Sequence, residues 1–149
     1  MTILAAVEGD RDQGRVLSTA ADLATAFETT LVVCHVRTVE EFEAHKRSLE
    51  ESPDIRDFDV DAERDNAAAV AQRALAEELD PTATGIDAEF RGRVGEPADE
   101  LLDLADEIEP RYLVLGGRRR SPVGKAVFGS TTQSVLLNAD RPVVTAIGD

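Results

Sequence analysis

Short unbroken apolar runs alternate along this chain with stretches in which apolar residues recur at helical spacing. Ile3 to Val7 is a continuous apolar run closed by Gly9, as expected of a strand buried on both faces. Val16, Ala20, Leu23, Ala24 and Phe27 then follow at helical spacing, and Leu31 to Val36 forms a second buried strand. Residues 38 to 65 are strongly acidic and weakly patterned. There, Val39, Phe42 and Leu49 predict one face of a short helix that Ser52-Pro53 interrupts. Val70, Ala71, Ala74, Leu75 and Leu79 predict a further helix, stopped at Asp80-Pro81 because the residue before proline avoids helical geometry.

Ile86, Ala88, Phe90, Gly92 and Val94 alternate with charged residues, the period of a strand with one face in water, which suits a sheet edge. Gly95-Glu96-Pro97 opens a helix with Leu101, Leu104, Ala105 and Ile108 on one face. Tyr112 to Leu115 is a buried strand running into Gly116-Gly117. Ser130 or Thr131 is expected to cap a last helix carrying Val135 and Leu136, and Pro142 to Ile147 closes as a fifth strand. Strands alternating with helices, with no linker and no internal repeat, predict one domain over residues 1–149. Its class is a three-layer α/β sandwich on a mostly parallel sheet.

Composition narrows the chemistry. At 149 residues and 42% apolar the chain is long enough for a buried core. No run approaches the roughly 20 apolar residues of a membrane span. Met1 to Glu8 shows no basic leader, so a soluble cytoplasmic protein is expected. A single cysteine, Cys34, and two histidines, His35 and His45, cannot build a cysteine or histidine metal cluster. The net charge of −14 disfavours nucleic acid and anionic membrane as partners. Only Lys46 and Lys125 are lysines against fourteen arginines, a composition resembling that of proteins from organisms that hold molar salt inside the cell.

The acid is unevenly distributed. Residues 110–139 contain no Asp or Glu but carry Arg111, Arg118, Arg119, Arg120 and Lys125. Within that gap the fourth strand ends in Gly116-Gly117-Arg118-Arg119-Arg120, and a Gly- and Ser-bearing loop leads through Gly129 to Ser130 and Thr131. Glycines let backbone amides approach an anion, and a helix N-terminus adds unpaired N–H donors and a favourable dipole end. This is chemistry for a phosphate. The alternative is a solvated cationic loop whose glycines and hydroxyls serve only as turn and cap residues. Gly124-Lys125 does not complete a P-loop, which needs glycine at Arg119 and a hydroxyl at Ala126; Gly9 and Gly14 do not fit a dinucleotide fingerprint. His35 reads as a hydrogen-bonded core histidine and Cys34 as a small buried hydrophobe. Glu8 and Asp10 form a carboxylate pair that could accompany a divalent cation on a triphosphate.

Order and spacing over nearly the whole chain resemble the universal stress protein (UspA-like) family. The resemblance rests on the opening Ile3-Leu4-Ala5-Ala6-Val7-Glu8-Gly9-Asp10, on Cys34-His35-Val36, on Gly95-Glu96-Pro97, and on Gly116 to Ser130 set against the signature G-x2-G-x9-G-[ST]. Gly116 fills the first glycine, Gly129 the last and Ser130 the hydroxyl, while Arg119 replaces the second glycine. An arginine there must either splay outward or meet a phosphate with its guanidinium. The resemblance implies a Rossmann-like sandwich with strand order 3-2-1-4-5 and a homodimer formed through the last strand. It also implies an adenine-nucleotide site for ATP or AMP rather than an enzyme. In that site Glu8 would contact the nucleoside, the backbone of Val36 would read adenine, and Ala6, Val7 and Leu115 would line base and ribose. Arg118, Arg119, Gly129, Ser130 and Thr131 would surround the phosphates. Two alternatives stand beside it: a dimeric interaction module that binds no nucleotide, and a slow nucleotide hydrolase or phosphotransferase.

Overall fold

A computed structural model describes residues 1–8, 13–50, 60–80, 84–119 and 126–148. In chain order these form β1 (Thr2–Ala6), α1 (Gly14–Ala26), β2 (Thr30–Arg37), α2 (Val39–Glu50), α3 (Val60–Glu78), β3 (Ala88–Val94), α4 (Pro97–Ile108), β4 (Tyr112–Arg119), β5 (Ala126–Val127), α5 (Ser130–Asn138) and β6 (Val143–Gly148). Five parallel strands lie in the order β3-β2-β1-β4-β6, the predicted 3-2-1-4-5 arrangement with β6 as the fifth predicted strand. The two-residue β5 is antiparallel to the end of β4, pairing Arg118 with Val127 and Arg119 with Ala126. On its other side Arg118 pairs with Gly148 of β6, so β5 continues the side of β4 that β1 holds lower down. Between β1 and β4 the chain order reverses, which leaves a crevice beyond their carboxyl ends.

Alternate residues of the buried strands feed two cores, one on each side of the sheet. Ile3, Ala5, Leu31, Val33 and Val114 meet α1 and α3, whereas Leu4, Val32, Cys34, Leu113 and Leu115 meet α4 and α5. Because parallel strands are covered on both faces, these runs read as continuous rather than alternating. β3 is an edge strand of the sheet, as its period-two pattern suggests. α4 starts as its sequence predicts, with Pro97 in the first turn and the Glu96 carboxylate accepting from the Asp99 N–H at 2.9 Å.

Several elements depart from the sequence expectation. α3 begins at Val60, ten residues before the apolar pattern becomes visible, because its inner face is built from Glu63, Ala67, Ala71 and Leu75. A buried glutamate followed by alanines four apart carries little hydropathy signal. Such small residues allow close approach: a Cβ on Gly92 of β3 would lie 1.8 Å from the Arg64 carbonyl oxygen. α2 forms, but Val39 is 48% exposed and does not belong to a buried face. A Thr38–Glu41 capping box starts this helix: Thr38 Oγ1 accepts from the Glu41 N–H, and the Glu41 carboxylate accepts from the Thr38 N–H. At the other end of the fold the N-cap of α5 is Gly129 rather than Ser130 or Thr131, which become its first two helical residues. Ser52-Pro53 and Pro81 lie outside the described residues.

Charge holds the acidic stretch to the sheet. Glu63 is fully buried, with Arg37 Nε of β2 at 2.6 Å from one oxygen and His45 Nδ1 of α2 at 3.1 Å from the other. The arginine N–H is not directed at its oxygen, so that contact is an ion pair rather than a hydrogen bond. Burial of a carboxylate is tolerable only with such compensation.

Gly92→Ala is expected to destabilise the protein by about 2 to 3 kcal/mol, since backbone rather than a flexible side chain stands in the way of its Cβ. Denaturant unfolding measures this, and unchanged stability would contradict the close α3–β3 crossing.

Candidate functional site

The candidate site is assembled at the carboxyl ends of β1, β2 and β4. The β1–β2 ladder ends at the Ala6–Cys34 pair, with the Val7 N–H donating to the Cys34 carbonyl at 2.9 Å as its last rung. Val7 and Val36, which flank this opening, are buried, and Glu8 is exposed at the rim. His35 is buried beside them, its Nδ1 lying 2.9 Å from the Val7 carbonyl oxygen. A carbonyl can only accept, so Nδ1 carries the proton. The histidine is thus a hydrogen-bonded core residue, as its place in an apolar strand suggests.

β4 runs past β1 through Gly116 and Gly117, and α5 returns to its end. Thr132, in the first turn of α5, donates its hydroxyl to the Gly116 carbonyl at 3.1 Å. This bond holds the first turn of α5, which follows Gly129, against Gly116 of β4. Gly129 has ordinary extended backbone, φ −69° and ψ 169°, and a Cβ there would meet nothing within 4 Å. Neither conformation nor crowding demands a glycine. What its bareness does provide is access: the N-cap makes no side-chain bond and the first turn of α5 has no acidic residue. The first turns of α2, α3 and α4 each hold two acids, whereas α1, like α5, has none. Among the described residues no side chain caps the first turn of α5, whose N–H groups have the helix dipole behind them.

Gly117 has a packing reason. A Cβ there would come within 2.6 Å of the Phe128 ring and 3.1 Å of Ile147 Cδ1. On the opposite face a Cβ at Gly116 would be 3.0 Å from Val16 of α1, so this glycine keeps α1 close. Leu115 and Ala6 lie on the α4–α5 side, the first buried and the second half-buried. Arg118 and Arg119 are placed by their backbones at the tip of β4, within the pairing to β5. Their side chains, the loop 120–125, and Gly9 and Asp10, which would pair with Glu8 around a cation, lie outside the described residues. Among the described residues no group of three His, Cys, Asp or Glu side chains is arranged to hold a metal ion.

Sequence reasoning missed Thr132 and β5. The signal for the first was the hydroxyl run Ser130-Thr131-Thr132, in which spacing alone does not tell which member turns back to the strand. For β5 a two-residue strand leaves no periodicity to detect. Cys34 sits one residue below the opening on the α4 side. Burial pushes its thiol up to about 12; the nearby Arg93 and Arg91 guanidiniums pull the other way but do not offset it, and Glu100 adds to the rise.

Comparison with known proteins agrees with this fold. Residues 1–146 match the family described as universal stress protein. A universal stress protein from Mycolicibacterium smegmatis (strain ATCC 700084 / mc(2)155) is 42% identical over 62 residues, 41% of this chain and 48% of that protein, so the match spans about half the relative's length. Among solved structures, a universal stress protein in complex with cAMP superposes with a TM-score of 0.63 at 20% identity, covering 99% of this chain and 96% of that one. The universal stress protein from Archaeoglobus fulgidus in complex with dAMP gives 0.55 at 23% identity, covering 98% and 97%. At these identities the two structures establish the shared fold.

The thiol environment has a direct consequence. In the folded protein Cys34 should resist alkylation by iodoacetamide at mildly alkaline pH and react fully once the chain is unfolded in guanidinium. The folded thiol holds its proton more tightly than the unfolded one. Its contribution to stability is therefore complete below pH 9.0 and is lost as pH rises towards about 12. Rapid alkylation of the native protein would contradict the burial.

Proposed function

We propose that this chain, which belongs to the universal stress protein family, binds an adenine nucleotide, ATP or AMP, at the carboxyl ends of β1, β2 and β4 and acts as a regulatory protein. The observation that carries the reading is the Thr132–Gly116 hydrogen bond, which seats the uncapped N-terminus of α5 against the end of β4. Phosphate oxygens meet the amides of Gly129, Ser130 and Thr131, with Arg118 and Arg119 contributing charge. Ala6, Val7 and Leu115 line base and ribose, the Val36 backbone reads adenine, and Glu8 contacts the nucleoside. A divalent cation accompanies a triphosphate. Relatives whose structures hold cAMP and dAMP support this class of ligand.

Nucleotide occupancy acts through a dimer. The chain is a single domain that forms a homodimer through β6, whose outer edge has no strand partner among the described residues. Val143, Val144 and Ile147 supply its partly buried apolar positions. Occupancy then biases a dimer surface towards a partner without turnover. The acidic, lysine-poor surface suits a salt-rich cytoplasm. At molar salt the Debye length is only about 3 Å, so directional amide contacts outweigh long-range arginine attraction.

A second reading has one observation in its favour. Arg119 stands where the signature has its second glycine, and its backbone is paired to β5. Main chain committed to a ladder is not open to a phosphate, which is what a dimeric interaction module without nucleotide would show.

Gly129→Val distinguishes the two. Its φ and surroundings admit a side chain, at a cap cost of about 1 kcal/mol, so the variant folds. The branched side chain shields the first-turn amides, and AMP affinity is expected to fall at least about tenfold, or 1.4 kcal/mol, by calorimetry in molar salt. Unchanged affinity would remove the phosphate seat from α5. A folded wild-type protein with no saturable AMP or ATP signal would favour the interaction module.

A further inference from the structure

The opening between β1 and β2 is not a simple fraying of strand ends. In a parallel ladder one strand's residues point their N–H and C=O to alternate sides. Since the Val7 N–H donates to Cys34, Cys34 and Val36 face β1, while Leu31 and Arg37 face β3, as their bonds to Asp87 and Gly95 show. The next rung would therefore run from the Val36 N–H to the Val7 carbonyl. It is not made: the register stops at Ala6–Cys34. The Val7 carbonyl is taken instead by His35 Nδ1–H at 2.9 Å. Among the described residues the Val36 N–H has no main-chain partner, although Val36 is only 9% exposed. Buried amides are nearly always paired, so an open one at a strand end calls for an acceptor from outside the sheet.

We infer that His35 is a positioning residue. By occupying the Val7 carbonyl it keeps the ladder from closing by one more rung and reserves the Val36 N–H for a ligand acceptor. The ligand's identity rests on the nucleotide reading above, under which the acceptor is a ring nitrogen of the purine. The ladder geometry stands independently of it. A carbonyl has two acceptor sites, but a buried imidazole fixed against it displaces the strand that would supply the second bond. Any residue placing a donor at the δ position performs the same task. Asparagine does so with Nδ2, whereas leucine fills the space without a donor.

The test uses isotope-labelled full chain without nucleotide, read by scalar coupling across hydrogen bonds and by amide hydrogen exchange. The wild type is expected to show coupling from His35 Nδ1 to the Val7 carbonyl carbon and none from the Val36 nitrogen. In His35→Leu the Val36–Val7 coupling appears and the Val36 amide exchanges at least about tenfold more slowly, while His35→Asn behaves as wild type. AMP affinity falls at least about tenfold in His35→Leu and stays within about threefold in His35→Asn. A Val36–Val7 coupling in the wild type overturns the inference, and so does wild-type AMP affinity in folded His35→Leu. If wild type binds no AMP, the nucleotide reading fails and the couplings alone decide the role of His35. Should His35→Leu not fold, the wild-type coupling and the asparagine variant decide it.

Discussion

Parallel pairing constrains everything at the functional end of this molecule. A parallel sheet joined by helices places every strand's carboxyl end, and the N-terminus of each following helix, on one side. Where β1 and β4 are neighbours the connecting helices leave to opposite faces, so the strand ends there are not covered by their own crossovers. The Thr132–Gly116 bond then fixes how far α5 stands from that gap. With it, the first turn of α5 is held against β4, the strand beside β1.

Electrostatics is arranged around the same end. The chain carries a net charge of −14, yet residues 110–139 hold no acid. That stretch contains β4, β5 and α5, the elements that bound the crevice on one side. α2, α3 and α4 begin with acids that complement their own dipoles. α5 lacks both acid and side-chain cap, a feature it shares with α1, the helix that follows β1. The bare start of α5 coincides with the place where the family signature asks for a glycine and a hydroxyl.

Much of this was legible in the sequence, for reasons that differ element by element. Unbroken runs such as Ile3 to Val7 and Leu31 to Val36 read correctly because burial on both faces leaves no room for polar alternation. Pro97 and Glu96 announced α4 through helix-start chemistry, and β3 showed its edge position by its charged alternate face. The misses share another cause. α3 starts early on a buried glutamate that Arg37 and His45 make tolerable, and those partners are distant in sequence. Likewise Ser130 and Thr131 looked like caps because hydroxyls usually are, but the cap position fell on Gly129 and the useful hydroxyl was Thr132. The candidate-site residues were placed by resemblance. That His35 takes a carbonyl from the ladder is a matter of register, which only three-dimensional pairing reveals.

The central claim is that the ends of β1, β2 and β4 and the first turn of α5 form one seat for an adenine nucleotide. Titrating labelled protein with AMP in molar salt, followed through backbone amide shifts, tests it most directly. The account predicts that Val36, Gly116, Gly129, Ser130 and Thr131 shift together along one saturable isotherm. Absence of saturable shifts, or shifts confined to residues away from these strand ends, would contradict it.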